Sequence, residues 1–291
     1  MVKIIAEIGC NHKGSVEIAK EMIHVASTQC NVDVVKFQKR TISDMLSKEQ
    51  YLSPHPIPSN SYGKTYGEHR EYLEFTVDQH RELRDFCSQS GVEYSSSAWD
   101  LNAAKDIVSL SPSMIKIPSA CNLKLDMMKY LVENFDGEIH VSLGMTKKSE
   151  EAKIIRLFDK HNRLKDLVVY ACTSGYPVSF EDVCLLEISR LKQDWRGMLP
   201  SIGFSGHHLG IAVDMGAIAL GASHVERHFT LDRTWKGTDH AASLEPSGMR
   251  KLSRDAAALS SALSYKDKPI LDVEREQREK FGKSIEDWNN R

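Results

Sequence analysis

The sequence contains no stretch approaching the ~20 consecutive apolar residues that a membrane-spanning helix needs, so no span is expected. It lacks an excess of charge of either sign. The 38 Lys and Arg face 40 Asp and Glu, a net charge of −2. This excludes a globally basic nucleic-acid binder while allowing a local basic cleft. Proline and glycine are scarce, 9 and 17 residues among 291, which excludes fibrous and low-complexity classes. The 6 cysteines, at positions 10, 30, 87, 121, 172 and 184, form no CxxC pair and no metal-like cluster. They read as free thiols of a reducing compartment. The N-terminus reaches a carboxylate, Glu7, too early for a secretory leader. A cytoplasmic globular protein with no nucleic-acid or membrane partner is the expectation.

Short β-rich runs alternate with helical spacing along the chain. The runs are Val2–Gly9, Val34–Gln38, Val92–Ala98, Met114–Ser119, Glu138–Gly144, Leu167–Cys172, Ser201–His207 and His224–Thr230. Between them, Val16, Ala19, Met22, Ile23 and Ala26 form one apolar stripe. Leu125, Met128, Leu131 and Val132 form a second, and Val183, Leu186 and Leu191 a third. Gly210–Gly221 is apolar nearly all round and reads as a covered helix. Eight strand–helix units predict a parallel α/β fold, a (β/α)8 TIM barrel over 1–263. An open doubly wound sheet is the alternative, because periodicity does not report closure. Residues 264–291 read as a charged helical tail with no second domain, packing through Ile270, Leu271, Val273, Phe281, Ile285 and Trp288. Lys39–Phe75 is too long for a βα loop; its Tyr51, Tyr62, Tyr66 and Tyr72 predict a partly ordered, substrate-covering segment.

Parallel strands buried on both faces should be almost wholly apolar, yet these turn polar at their C-terminal ends. Glu7 follows Ile4-Ile5-Ala6, and Lys36 and Gln38 follow Val34-Val35. Ser95, Ser96 and Ser97 end the third run; Lys116 and Ser119 the fourth; Ser142 belongs to the fifth. Thr173 and Tyr176 follow the sixth, Ser205, His207 and His208 end the seventh, and Glu226 and His228 lie in the eighth. In a barrel these ends converge on the face where barrel enzymes keep their active sites. Lysines with hydroxyls make a cradle for phosphate and carboxylate groups. His207 and His228, ending consecutive strands, suit a divalent transition ion with open positions. Glu226 fits a general base, a water holder or a ligand-orienting group. Taken singly, each histidine or lysine reads as a structural or rim residue; the joint pattern carries the argument. Cys10, Cys121 and Cys172 read as small buried hydrophobes, and Met114, Met127, Met128 and Met145 as core.

These residues belong to an ordered series of motifs. They are Ile4-Ile5-Ala6-Glu7-Ile8-Gly9-Cys10-Asn11-His12, Val34-Val35-Lys36-Phe37-Gln38, Lys116-Ile117-Pro118-Ser119 and Gly144-Met145. Then come Cys172-Thr173-Ser174-Gly175-Tyr176-Pro177, Phe204-Ser205-Gly206-His207 and Glu226-Arg227-His228-Phe229-Thr230-Leu231-Asp232, with Gly237-Thr238-Asp239-His240 beyond. From Val2 to Arg250 the series resembles the barrel domain of the sialic acid synthase family. Those enzymes condense phosphoenolpyruvate with an N-acylated hexose to give nine-carbon 2-keto-3-deoxy acids. The resemblance implies a divalent metal, typically Mn²⁺ with Mg²⁺ or Co²⁺ as substitutes, on His207 and His228. It places Lys36, Gln38, Ser97, Lys116, Ser119 and Ser142 around phosphoenolpyruvate, and Glu7, Tyr176 and Asp239 near the sugar acceptor. Glu226 falls where a glutamate acts on the water or hydroxyl. Ser174 and Ser205 stand among the substrate-binding positions.

The chain departs from the family pattern at Ser174, commonly Asn, at Gly206, commonly a carboxylate, and at His208, usually Thr. The first two are expected to alter the pocket, and His208 to be a rim residue or an extra ligand. The family also carries a C-terminal antifreeze-like domain that would begin near Arg291 and that reaches across the dimer; the resemblance implies a homodimer, with a separate capping chain as the alternative source of that domain. Two other functions stay open on the residues alone. One is a Schiff-base barrel aldolase using Lys36 or Lys116, which the two histidines count against. The other is a non-catalytic sugar-binding or scaffolding paralogue.

Overall fold

The computed structural model describes residues 2–282. Its eight parallel strands are β1 (Lys3–Gly9), β2 (Val34–Lys39), β3 (Glu93–Ala98), β4 (Met114–Ile117), β5 (Glu138–Ser142), β6 (Leu167–Cys172), β7 (Ser201–Gly206) and β8 (His224–His228). They pair in sequence order, and β8 closes on β1. The expected (β/α)8 barrel is therefore present, and the open sheet is excluded. Four strands stop short of the runs read from sequence, β7 by the single residue His207. Pro118, which has no N–H for the ladder, ends β4, and Ser119–Cys121 form a single 3-10 turn. Gly144 and Thr230 lie beyond the ends of β5 and β8.

The helices in chain order are α1 (Val16–Thr28), α2 (Ile42–Met45), α3 (Lys48–Leu52), α4 (Tyr66–Tyr72), α5 (Val77–Gln89) and α6 (Leu101–Val108). They continue with α7 (Leu125–Asn134), α8 (Lys148–Lys160), α9 (Glu187–Asp194), α10 (Ala212–Ala219), α11 (Pro246–Ala262) and α12 (Asp272–Phe281). In α1 the stripe Ala19, Met22, Ile23 and Ala26 is buried, and Ser15 caps the helix by accepting from the Ile18 N–H. The other stripes need correction. In α7 Met127 is buried and Leu125 exposed. Val183 and Leu186 precede α9, because Cys184 adopts a left-handed φ of 51° that no helix continues through; Leu191 is buried as expected, Ile188 joins it, Val183 packs partly against the core and Leu186 is exposed. Around Gly210–Gly221 only α10 is helical, and only its Asp214, Ala217 and Ile218 face is buried. Helix α12 buries nothing, with Val273 and Phe281 exposed, because so few apolar residues give no continuous stripe. Ile285 and Trp288 lie outside the described residues.

Most of the core lies between the barrel and its helices. A smaller cluster of Ile5, Val34, Met114, Val168 and Tyr170 fills the barrel interior. There, Gly203 on β7 makes room for a ring: a Cβ at that position would lie 2.5 Å from Tyr170 Cε1. Since both backbone and ring are enclosed, Gly203→Ala is expected to cost about 3 kcal/mol. Urea denaturation measures it, and an unchanged midpoint would show that the ring moves aside freely.

Between β2 and α5 the chain makes the long excursion, and it is ordered. Tyr62 stacks on Tyr72 with centroids 5.0 Å apart, and its hydroxyl donates to Lys236 O at 2.5 Å. That contact ties the excursion to the segment after β8. Beneath it, His12 stacks on Phe75 at 4.0 Å, and His80 meets Tyr94 Oη at 2.8 Å. Burial, reinforced for His12 by His80 and Arg40 and for His80 by Lys39, pushes both imidazoles down to about 3. The unfolded chain, with an ordinary histidine value near 6.5, thus takes up protons first as pH falls, and folding weakens from about pH 6.5 downward. Stability is expected to drop by about 4 kcal/mol between pH 7 and pH 5 from this pair. Urea midpoints at the two pH values test it; equal midpoints would mean that both rings protonate while folded.

Candidate active site

The C-terminal ends of the strands enclose a cavity of about 540 Å³. Fourteen of the polar residues singled out from the sequence line it: Glu7, Lys36, Gln38, Ser97, Lys116, Ser119, Ser142, Ser174, Tyr176, Ser205, His207, Glu226, His228 and Asp239; Ser95, Ser96, Thr173 and His208 do not. Strand register explains the convergence. Glu7 is the partner of Lys36 on one side and of His228 on the other, Ser97 pairs with Lys116, and Ser205 with Glu226. Alternation then points these side chains to the interior together.

The charges are interlocked. Lys36 pairs with Glu7, donates to Ser97 Oγ at 2.7 Å and lies 3.7 Å from Glu226 Oε2. Lys116 Nζ donates to the same Glu226 oxygen at 3.0 Å and sits 3.4 Å from the Tyr170 ring centroid. Ser205 Oγ donates to Glu226 Oε1 at 3.1 Å, and Gln38 Nε2 to Glu7 Oε1 at 2.6 Å. Burial opposes ionisation of Glu226, but Lys116 and Lys36 outweigh it and hold the carboxyl well below its usual range. Burial pushes the Lys116 ammonium down, with Glu226 opposing. Glu226 is therefore a carboxylate with both oxygens engaged.

His207 and His228 face each other with ring centroids 5.6 Å apart, and Tyr176 lies 4.2 Å from the first and 5.9 Å from the second. His207 Nδ1 donates to Thr173 O at 3.0 Å, which leaves Nε2 as its electron-pair donor. His228 Nδ1 is buried without a partner. Burial and then His228 push His207 down to about 4, so its imidazole is neutral near pH 7. Two facing imidazoles, one nitrogen of them orphaned, fit a divalent ion that keeps positions open for water or substrate. Among the described residues no carboxylate or thiol completes a three-ligand group with them.

Some expectations fail here. His208 is fully buried away from the cavity, 3.0 Å from Arg227 Nη1 and 3.3 Å from Asp214 Oδ2. It is neither rim nor ligand. A Cβ on Gly206 would meet His208 Cε1 and Phe204 Cε1 at 2.8 Å, so that position borders the His208 packing rather than the pocket. Ser174 does face the cavity, its buried hydroxyl unpartnered. Met145 is exposed at the cavity wall instead of core. Cys121 is buried as expected, but Cys10 and Cys172 are half-buried; Cys172 lines the cavity, and Cys10 Sγ lies 3.2 Å from Arg40 Nη1.

Sequence reasoning missed Arg40, Arg70, Trp99 and Thr238, which also line the cavity. Arg40 had a signal, since it continues the two-residue rhythm of Lys36 and Gln38. It stacks 4.3 Å over Trp99 and donates to Glu74 Oε1 at 2.9 Å. Arg70 comes from α4, and with Ile57 it brings the excursion over the cavity.

Residues 22–268 match the model of the NeuB family. The chain belongs to that family. It is 36% identical over 284 residues to the human N-acetylneuraminate-9-phosphate synthase, an alignment covering 97% of this chain and 77% of that protein. It is 31% identical to the N,N'-diacetyllegionaminic acid synthase of Legionella pneumophila, over 97% of this chain and 79% of that one. Among solved structures, the N-acetylneuraminic acid synthetase of Leptospira borgpetersenii superposes with a TM-score of 0.81 at 24% identity, covering 97% and 92% of the two chains. This last likeness supports the fold. Relatives named as synthases of different sialic-type acids thus align along 97% of this chain, and this chain is an enzyme of that synthase class.

Proposed function

We propose that this NeuB-family chain joins phosphoenolpyruvate to an aldose, an N-acylhexosamine or related sugar, giving a nonulosonate and phosphate. The observation that carries the reading is the buried pair Lys36 and Lys116, held at one carboxylate among serine hydroxyls. This is a cradle for an anion with both carboxylate and phosphate groups. Carbon 3 of the enol attacks the acceptor aldehyde carbon, and the aldehyde oxygen takes a proton. Water adds to carbon 2 and loses one proton, then the C–O bond to phosphate breaks as the new hydroxyl gives its proton to the departing phosphate and becomes the keto oxygen. The lysines hold the anionic groups beside the developing positive charge, and Glu226 is the carboxylate next to that carbon. Glu7, Tyr176 and Asp239, on the other wall, would orient the sugar.

His207 and His228 would hold the divalent ion, with Mn²⁺ our assignment, and bound there it would supply Lewis-acid polarisation of the acceptor aldehyde. The reducing cytosol is the expected setting, in keeping with six free thiols. The aldolase alternative requires an unengaged amine. Lys36 is committed to Glu7 and Ser97, and Lys116 to Glu226.

The test is phosphate release from phosphoenolpyruvate with Mn²⁺ over a panel of N-acetylmannosamine, its 6-phosphate, mannose, diacetylated 6-deoxyhexoses and pentoses. Chelator-sensitive release with one acceptor is the expected result. Borohydride trapping of a pyruvate adduct, with no release, would establish the aldolase instead.

A further inference from the structure

The opposite, N-terminal mouth of the barrel holds a second group of ligating side chains. Barrel interiors at that end are ordinarily filled by branched apolar residues, whose role is stability. Here β5 opens with Glu138 and places His140 two residues on, toward the axis, while β8 opens with His224. These strands are not neighbours, so the side chains meet across the barrel. One ligating atom from each of Glu138, His140 and His224 lies within 4.8 Å of the others. His140 Nε2 is already 3.2 Å from Glu138 Oε2, close to the ~3.4 Å that two ligands of a tetrahedral ion keep between them. The imidazoles cross at 78° with centroids 5.0 Å apart.

The second nitrogen of each ring is anchored as metal-binding histidines usually are. Tyr170 Oη is 2.8 Å from His140 Nδ1, and Ser223 Oγ is 2.9 Å from His224 Nδ1. Both histidines are buried, whereas the Glu138 side chain is 43% exposed, which gives an ion an entry path and a water for its fourth position. Two lysines act on the group: Lys3 pairs with Glu93 at 3.2 Å, and Lys116, the register partner of His140, with Glu226 at 3.0 Å.

We propose that Glu138, His140 and His224 form a divalent transition-metal site of the His2Glu type at the N-terminal mouth, separate from the catalytic cavity. Zn²⁺ and Co²⁺ match the donor set. The site also reaches the catalytic end. The Tyr170 hydroxyl on His140 belongs to the ring beneath Lys116, so an ion there orders the floor on which that lysine rests.

The test uses Co²⁺ alone, read by its visible absorption and by equilibrium dialysis, on the full chain. The variant His207→Ala/His228→Ala removes the proposed catalytic ligands and is expected to keep one Co²⁺ per chain. Adding Glu138→Gln, at a part-exposed position that tolerates it, is expected to weaken that Co²⁺ by 10-fold or more. His140→Gln should abolish it, with circular dichroism confirming the fold. If the double variant retains no Co²⁺, or retains it with an affinity that Glu138→Gln leaves unchanged, the site does not exist. Because the catalytic histidines are absent from this background, the outcome is independent of whether the synthase reading holds.

Discussion

Lys116→Met is expected to lower phosphate release by about 10²–10³-fold and to weaken phosphoenolpyruvate binding along with it. The lysine is buried at 2% exposure, donates to Glu226 at 3.0 Å and shares that carboxylate with Lys36. Methionine keeps most of its volume while removing the charge, so packing against Tyr170 survives. The substitution leaves Glu226 with Lys36 alone as a cation, which costs folding stability as well, on the order of 3 kcal/mol. Steady-state kinetics with urea denaturation separate the two effects. A variant that loses stability but keeps its affinity for phosphoenolpyruvate would show that Lys116 is a structural counter-ion only.

The double variant His207→Ala/His228→Ala should lose Mn²⁺-dependent activity by about 10³-fold or more, since Lewis-acid stabilisation contributes several kcal/mol. The fold should persist. Both rings stand at the cavity wall beside Tyr176, and the His207 ring is held by a hydrogen bond to Thr173 O. The check is activity across a Mn²⁺ titration with a Tm in parallel. Activity that survives with unchanged metal dependence would place the catalytic ion elsewhere in the cavity.

The barrel and its site were legible in the sequence for a single reason. Polar residues closing apolar strands are expensive to bury, and only a common functional end accounts for Glu7, Lys36, Lys116, Ser205 and Glu226 together. Closure itself was legible only as a count of eight, because periodicity is local and closure is not. The departures misread from sequence involve direction. Gly206 and His208 neighbour His207 along the chain, but alternation sends them outward, where His208 meets Arg227 and Asp214. Arg70 reaches the cavity from a segment folded back over it, and no strand rhythm announces such a return. The group at the other mouth was hidden for a related reason. Glu138 and His140 share a strand, but His224 lies 84 positions further on and joins them only across the barrel.

The interlocked charges have a consequence for how ligands arrive. Glu7 and Glu226 neutralise Lys36 and Lys116 before any substrate is present, and Glu74 does the same for Arg40. To approaching solutes the mouth therefore projects little net field, and long-range attraction, which salt would screen within ~10 Å, contributes little to capture. Recognition begins at contact, when the incoming anion takes over hydrogen bonds that the protein's own carboxylates hold in its absence. An anion entering this cavity competes with Glu7 and Glu226 for the two lysines.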